Sequence, residues 1–255
     1  MAPPPLHKLE QSHTQTAIAQ RLADNSDSLG AYVRDAVLGA MDGTITTFVI
    51  IAGAVGAGFD FMVVMVLGLC NLLADGFSMA VGNYLGVKSE NDRVEKLRAL
   101  ERHHIEVVPE GEREEIRQIY AAKGFEGEIL EEIVEHITKD HDRWIDTMLQ
   151  DEWGVGTQTT NPITSAWVTF VAFVFVGGIP LLPLVFIGSL EDDNSFLISS
   201  VMTFVVFVLI GIARGISTDR SLPKSITETC FAGVAAAVIS YGIGHYVMSL
   251  TGAGS

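Results

Sequence analysis

Apolar residues are concentrated along this chain in five long blocks, at about 36–58, 62–86, 163–188, 195–213 and 226–249. A helix rises about 1.5 Å per residue, so roughly 20 apolar residues cross a hydrocarbon core about 30 Å thick. Buried helices of a soluble protein are the competing reading, but five such blocks in 255 residues leave too little polar surface to cover them. The pattern predicts an all-α, polytopic membrane protein with five transmembrane helices. Between the second and third blocks the period changes without a change of element. Helical periodicity runs on from the second block through "VKSENDRVEKLRALERHHIEV", restarts at Pro109 in "PEGEREEIRQIYAAKG", and resumes from Glu126 to Gly154 with Ile129, Ile133, Val134, Ile137, Trp144, Ile145 and Met148 at helical spacing. This predicts a three-helix insert packed on one apolar stripe per helix. The chain then divides into a polar tail over 1–30, two spans over 31–88, the insert over 89–154 and three spans over 155–255.

Charge adds an orientation to this picture. No Lys or Arg occurs between Arg34 and Lys88, nor from Gly154 to Ala213. Basic residues flank the spans on one side only: Arg21 and Arg34 before the first, Lys88 to Arg98 after the second, and Arg214, Arg220 and Lys224 between the fourth and fifth. The opposite connections carry Asp60 and "EDDN", Glu191 to Asn194. Basic loops stay on the cytosolic side, so the N-terminus and the insert are expected there and the C-terminus outside. Of the 31 Asp and Glu, 19 lie between Ser89 and Glu152, which makes the net charge of −15 largely a property of the insert. Such a surface repels nucleic acid and attracts cations. Cys70 and Cys230, both inside apolar blocks, suggest neither a disulfide framework nor a metal motif. The N-terminus lacks the basic and apolar regions of a signal peptide, and the compact chain suggests a prokaryotic plasma (inner) membrane.

The polar residues inside the apolar blocks carry the candidate chemistry. Asp42 lies within the first block with Thr46 one turn on. Asn71, Asp75, Met79 and Asn83 recur every four residues in the second, along one slowly drifting helix face. A carboxylate inside a bilayer costs about 2.5–3.5 kcal/mol even on lenient scales. No basic partner is available in these spans, which leaves a proton or a passing cation to neutralise it; a position near a helix end, reaching water, is the plainer alternative. Met79 offers a soft thioether suited to transition metals, although a methionine is often simple packing. In the insert, Glu101 with His104, Glu112 with Glu115, and Met148 with Glu152 form three pairs, each on one side of its helix. Their spacing suits a shared O, N and S site and equally suits a solvated acidic face. His103, His136 and His141 read as surface residues that could also join a metal cluster. A membrane-anchored di-iron ferroxidase or metal sensor would need a second Glu-x-x-His beside Glu101–His104, and neither His136 nor His141 supplies it. No catalytic triad or nucleotide-binding loop appears.

"DAVLGAMDGTITTF", "ADGFSMAVGNYLGVKSE" and the acidic helical insert resemble the vacuolar iron transporter family over about residues 31–250. The resemblance implies a homodimeric transporter rather than an enzyme: a proton-coupled antiporter that exports cytosolic Fe²⁺ and related ions such as Mn²⁺. No permanent cofactor is implied; Co²⁺ and Zn²⁺ are further candidate ions for the cytosolic site. Asp42 and Met79 take the family's metal path at the dimer interface, and Glu101, Glu112, Glu115, Met148 and Glu152 its cytosolic site. Two departures stand out. His104 occupies a place where a glutamate is usual. Asn71 stands where the family often has glutamate two turns before the methionine, with Asp75 one turn closer.

Overall fold

The computed structural model describes residues 26–157, 159–187, 193–218 and 220–251. Most of the polar tail, with Arg21, and the acidic residues Glu191 and Asp192 lie outside them. Among the described residues the regular structure is entirely helical. In chain order the elements are α1 (Ser26–Gly56), α2 (Phe61–Val107), α3 (Pro109–Ala122), α4 (Gly127–Thr138), α5 (His141–Asp151), α6 (Pro162–Gly177), a 3₁₀ turn (Ile179–Leu181), α7 (Leu182–Ile187), α8 (Asp193–Ser217) and α9 (Leu222–Thr251). Five stretches are long and apolar enough to cross a membrane: Leu29–Gly56, α2, Pro162–Phe186, Ser195–Ser217 and α9. These coincide with the five apolar blocks, and the protein is polytopic and all-α. Residues 26–30, read as tail, belong to the first helix.

Two compact units emerge, one of residues 1–84 and 162–255, the other Leu85–Asn161. In the first, α1 is surrounded by α6, α8 and α9. Glycines set the approach. Gly177 on α6 lies so close to Gly43 of α1 that a Cβ there would stand 2.6 Å from the Gly43 carbonyl carbon. A Cβ on Gly244 of α9 would come within 2.1 Å of the Gly53 oxygen. Small residues let membrane helices approach to backbone contact, because lipid supplies no hydrophobic drive between them. Hydroxyls finish the interior: Thr44, Thr169, Thr203 and Thr229 are fully buried and each donates to the carbonyl four residues back. Along α2, Val64 and Leu72 pack against Phe173, Leu181 and Leu184, while Leu69, Leu73, Phe77 and Val81 stay exposed.

Two elements depart from their expected form. The third span, expected as one helix over 163–188, is broken at Gly177 and Gly178 before Pro180, which has no N–H to continue the ladder. Ser199 of α8 donates to the Pro180 carbonyl at 2.7 Å and satisfies one group at the break. In the insert, the helix expected from Glu126 to Gly154 is two helices. The first ends at Thr138 with Lys139 as its C-cap, and Asp140 caps the second, its Oδ1 accepting from the backbone N–H of Asp142 at 3.0 Å and of Arg143 at 3.2 Å. The second unit is held by a core of Val94, Ile105, Ile116, Val134, Ile145 and Leu149.

Candidate functional site

Three helices of the insert carry a cluster of ionisable side chains. Near the end of α2, Glu101 and His104 share a face. Pro109 fixes the start of α3, which places Glu112 and Glu115 in its opening turns. The end of α5 carries Met148 and Glu152, and Gly154, at φ +63°, turns the chain so that Val155 N–H reaches the Leu149 carbonyl at 3.0 Å. Glu101, His104 and Glu112 each present one ligand atom within 4.8 Å of the others. His104 Nδ1 is 3.3 Å from Glu112 Oε1. Glu101 is 1% exposed and Glu112 5%, and the Oε2 of each is buried with no hydrogen-bond partner. Two buried carboxylate oxygens without a donor suit a cation, and with an imidazole they suit a transition metal ion.

Electrostatics set this cluster apart from the rest of the acidic insert. Burial, reinforced by repulsion from Glu115, Glu101 and Glu152, pushes the Glu112 carboxyl up to about 7, with His104 partly offsetting it. The Glu152 carboxyl is likewise raised, first by the partial desolvation it has despite its exposed surface and then by Glu101 and Glu115. Elsewhere the acids have basic partners. Hydrogen bonds from Gln118 and then Arg117 hold Glu114 below the usual carboxylate range, and Arg117, 2.7 Å from Glu131, does the same for Glu131. Arg98 lies 2.6 Å from Asp146, and Lys123 2.6 Å from Asp151. Among the described residues no Lys or Arg pairs with Glu101, Glu112, Glu115 or Glu152 in this way.

The remaining sequence candidates fall in different places. Glu115 and Glu152 are exposed and join the cluster through their charge. Met148 is fully buried and belongs to the insert's hydrophobic core. His136 Nε2 lies 3.1 Å from Arg143, His141 sits edge-on to Trp144, and His103 is exposed; the Glu101–His104–Glu112 grouping includes none of them. In the membrane unit, Asp42 and Asp75 are exposed along α1 and α2. Asn71 Nδ2 donates to Asp75 Oδ2 at 3.3 Å. Thr46 donates to the Asp42 carbonyl at 2.9 Å, a bond within its own helix. Asn83 donates to Thr169 Oγ1 at 2.8 Å and to the Ser165 carbonyl at 3.3 Å, which ties α2 to α6. Met79 is half-buried against the cluster that holds Phe173.

Two residues stand out that sequence reading passed over. Asp35, seven residues before Asp42, is 1% exposed and its Oδ2 has no partner; the two-turn spacing was the available signal. Trp153 donates its indole N–H to Glu101 Oε1 at 2.9 Å. Its place between Glu152 and a helix-ending glycine hinted at a fixed orientation, but the partner lies 52 residues away.

A family model described as the VIT family matches residues 33–245. The vacuolar iron transporter of Toxoplasma gondii is 32% identical over 90% of this chain and 79% of its own length. Vacuolar iron transporter 1 of Eucalyptus grandis is 30% identical over 90% of the chain and 94% of its own length, and that of Arabidopsis thaliana 32% over 83% and 84%. All three come from eukaryotes and are named for the vacuole, so the expected prokaryotic inner membrane draws no support from them.

Proposed function

Since the chain belongs to the VIT family, we propose that it moves divalent transition metal ions, Fe²⁺ foremost and Mn²⁺ among the others, out of the cytosol in exchange for protons. The observation that carries this reading is the group of buried, donorless carboxylate oxygens of Glu101 and Glu112 beside His104. The insert, on the cytosolic side with the N-terminus, gathers the ion. Glu115 on α3 and Glu152, just past the end of α5, add carboxylates to its ligand set, and Met148, in the core beneath them, is the proposed soft ligand. The ion then passes Asp42 and Met79, with Asp75 and Asn71 alongside. Proton and metal compete for one carboxylate, so loading with either expels the other and exchange needs no separate coupling device.

A homodimer supports the same path. Asp42 and Asp75 are exposed in the single chain on helices long enough to span a bilayer. A carboxylate facing lipid is costly, so a second copy covering this face of α1 and α2 shelters both. The relatives are named transporters and not enzymes. That sets the ferroxidase reading aside.

Purified protein in liposomes is the test. Fe²⁺ enters only when a pH gradient is imposed, Mn²⁺, Co²⁺ and Zn²⁺ compete to differing degrees, and Asp42→Ala abolishes the flux. Normal uptake by that variant, or uptake indifferent to the gradient, refutes the exchange mechanism.

A further inference from the structure

The indole of Trp153 bears on Glu101 in a way the ligand set alone does not require. Its N–H donates to Oε1 at 2.9 Å, while Oε2 of the same carboxylate is buried and unpartnered beside His104 and Glu112. The backbone fixes this contact from the other side. Trp153 N–H reaches the Met148 carbonyl at 3.2 Å, Gly154 reverses the chain, and Val155 is anchored in the insert's core. The end of α5 therefore places the indole, although 39% of the residue stays exposed. A carboxylate oxygen that already accepts from a fixed donor is the poorer metal ligand of the two, which favours coordination through the other.

We propose that Trp153 is a positioning residue that makes Glu101 a one-oxygen ligand and thereby turns the centre against Ca²⁺. This rests on the reading of Glu101, His104 and Glu112 as a metal centre. Ca²⁺ takes 6–8 oxygen ligands at 2.3–2.6 Å and commonly uses both oxygens of a carboxylate. Smaller first-row ions accept single carboxylate oxygens together with an imidazole nitrogen. Holding Oε1 on the indole removes an oxygen that Ca²⁺ would use and leaves Oε2 aimed at the smaller ion. The burial of Glu101 strengthens the effect, because no water stands in for the missing donor. Partners outside the ligand shell commonly tune metal affinity by 10–100-fold.

The full-length protein in detergent is titrated with Mn²⁺ and with Ca²⁺, as wild type and as Trp153→Phe, which keeps an aromatic ring and removes the donor. The Mn²⁺-over-Ca²⁺ preference falls about tenfold in the variant, with Ca²⁺ binding tighter; mere loosening of the fold weakens both ions together and leaves the ratio unchanged, which overturns the proposal. Should the variant fail to fold, infrared difference spectra of the Mn²⁺-loaded wild type decide. A widely split, one-oxygen carboxylate band that disappears in Glu101→Gln supports the role, and a two-oxygen band from Glu101 overturns it. Glu112→Gln separates the two levels. If it leaves Mn²⁺ binding untouched, the metal centre falls and the role of Trp153 with it; if it weakens binding while Trp153→Phe keeps the ratio, only the role of Trp153 falls.

Discussion

Glu112 shows how one side chain ties the insert's stability to the proposed metal centre. Its carboxyl, ordinarily at 4.5, is pushed to about 7 by burial and by the carboxylates of Glu115, Glu101 and Glu152. Between those values the folded, metal-free insert holds a proton that the unfolded chain has already released. Stability therefore falls as pH rises through this window, by on the order of 1–3 kcal/mol. Glu112→Gln removes the share of this dependence that Glu112 carries, leaving that of Glu152. Without metal, the variant should melt above the wild type at pH 8 and close to it at pH 5 in thermal scans; equal melting temperatures at both would discount the strain assigned to Glu112. At the proposed centre metal acts with the opposite sign, since it needs the carboxylate deprotonated, and its affinity should fall on acidification. The same residue thus loses its burden when loaded.

At the level of elements, the decisive feature is backbone contact between α1 and α6. Gly177 faces Gly43, the neighbour of Asp42, at a distance that leaves no room for a methyl group. Gly177→Ala forces the helices apart, with a cost of about 1–3 kcal/mol for overpacking. The displacement falls next to the proposed path. The variant should melt lower and carry Fe²⁺ more slowly in liposomes, and unchanged melting together with unchanged flux would refute the contact as drawn. The break after Gly177 and the cap at Asp140 follow a similar logic. Periodicity ran smoothly through both places, yet Pro180 lacks the N–H a helix needs and Asp140 supplies an acceptor that starts a new one.

At the level of the whole molecule, the protein joins a membrane unit to an acidic unit, Leu85–Asn161. If the insert gathers ions and the spans carry them, the two tasks are separable. Deleting residues 95–152 should leave a gradient-driven Fe²⁺ flux that needs a far higher ion concentration for half-maximal rate, measured in liposomes. Complete loss of flux at saturating Fe²⁺, with the variant folded and inserted, would show that the insert does more than concentrate the ion.

The sequence by itself determined the five spans, because a bilayer imposes a length and a composition that any reader of hydropathy can see. It also determined the pairs Glu101–His104 and Glu112–Glu115, because helical spacing puts each pair on one face. What it left open was whether those pairs met or merely faced water, since charged helices show the same spacing in both cases. Only the tertiary structure brought Glu101, His104 and Glu112 within 4.8 Å and left two of their oxygens buried without donors. It also put Met148 in the core, engaged Asn83 with α6, and set Trp153 on Glu101 across 52 residues of chain. Contacts of that kind are set by how helices pack. Periodicity along one helix carries no trace of the partner on another.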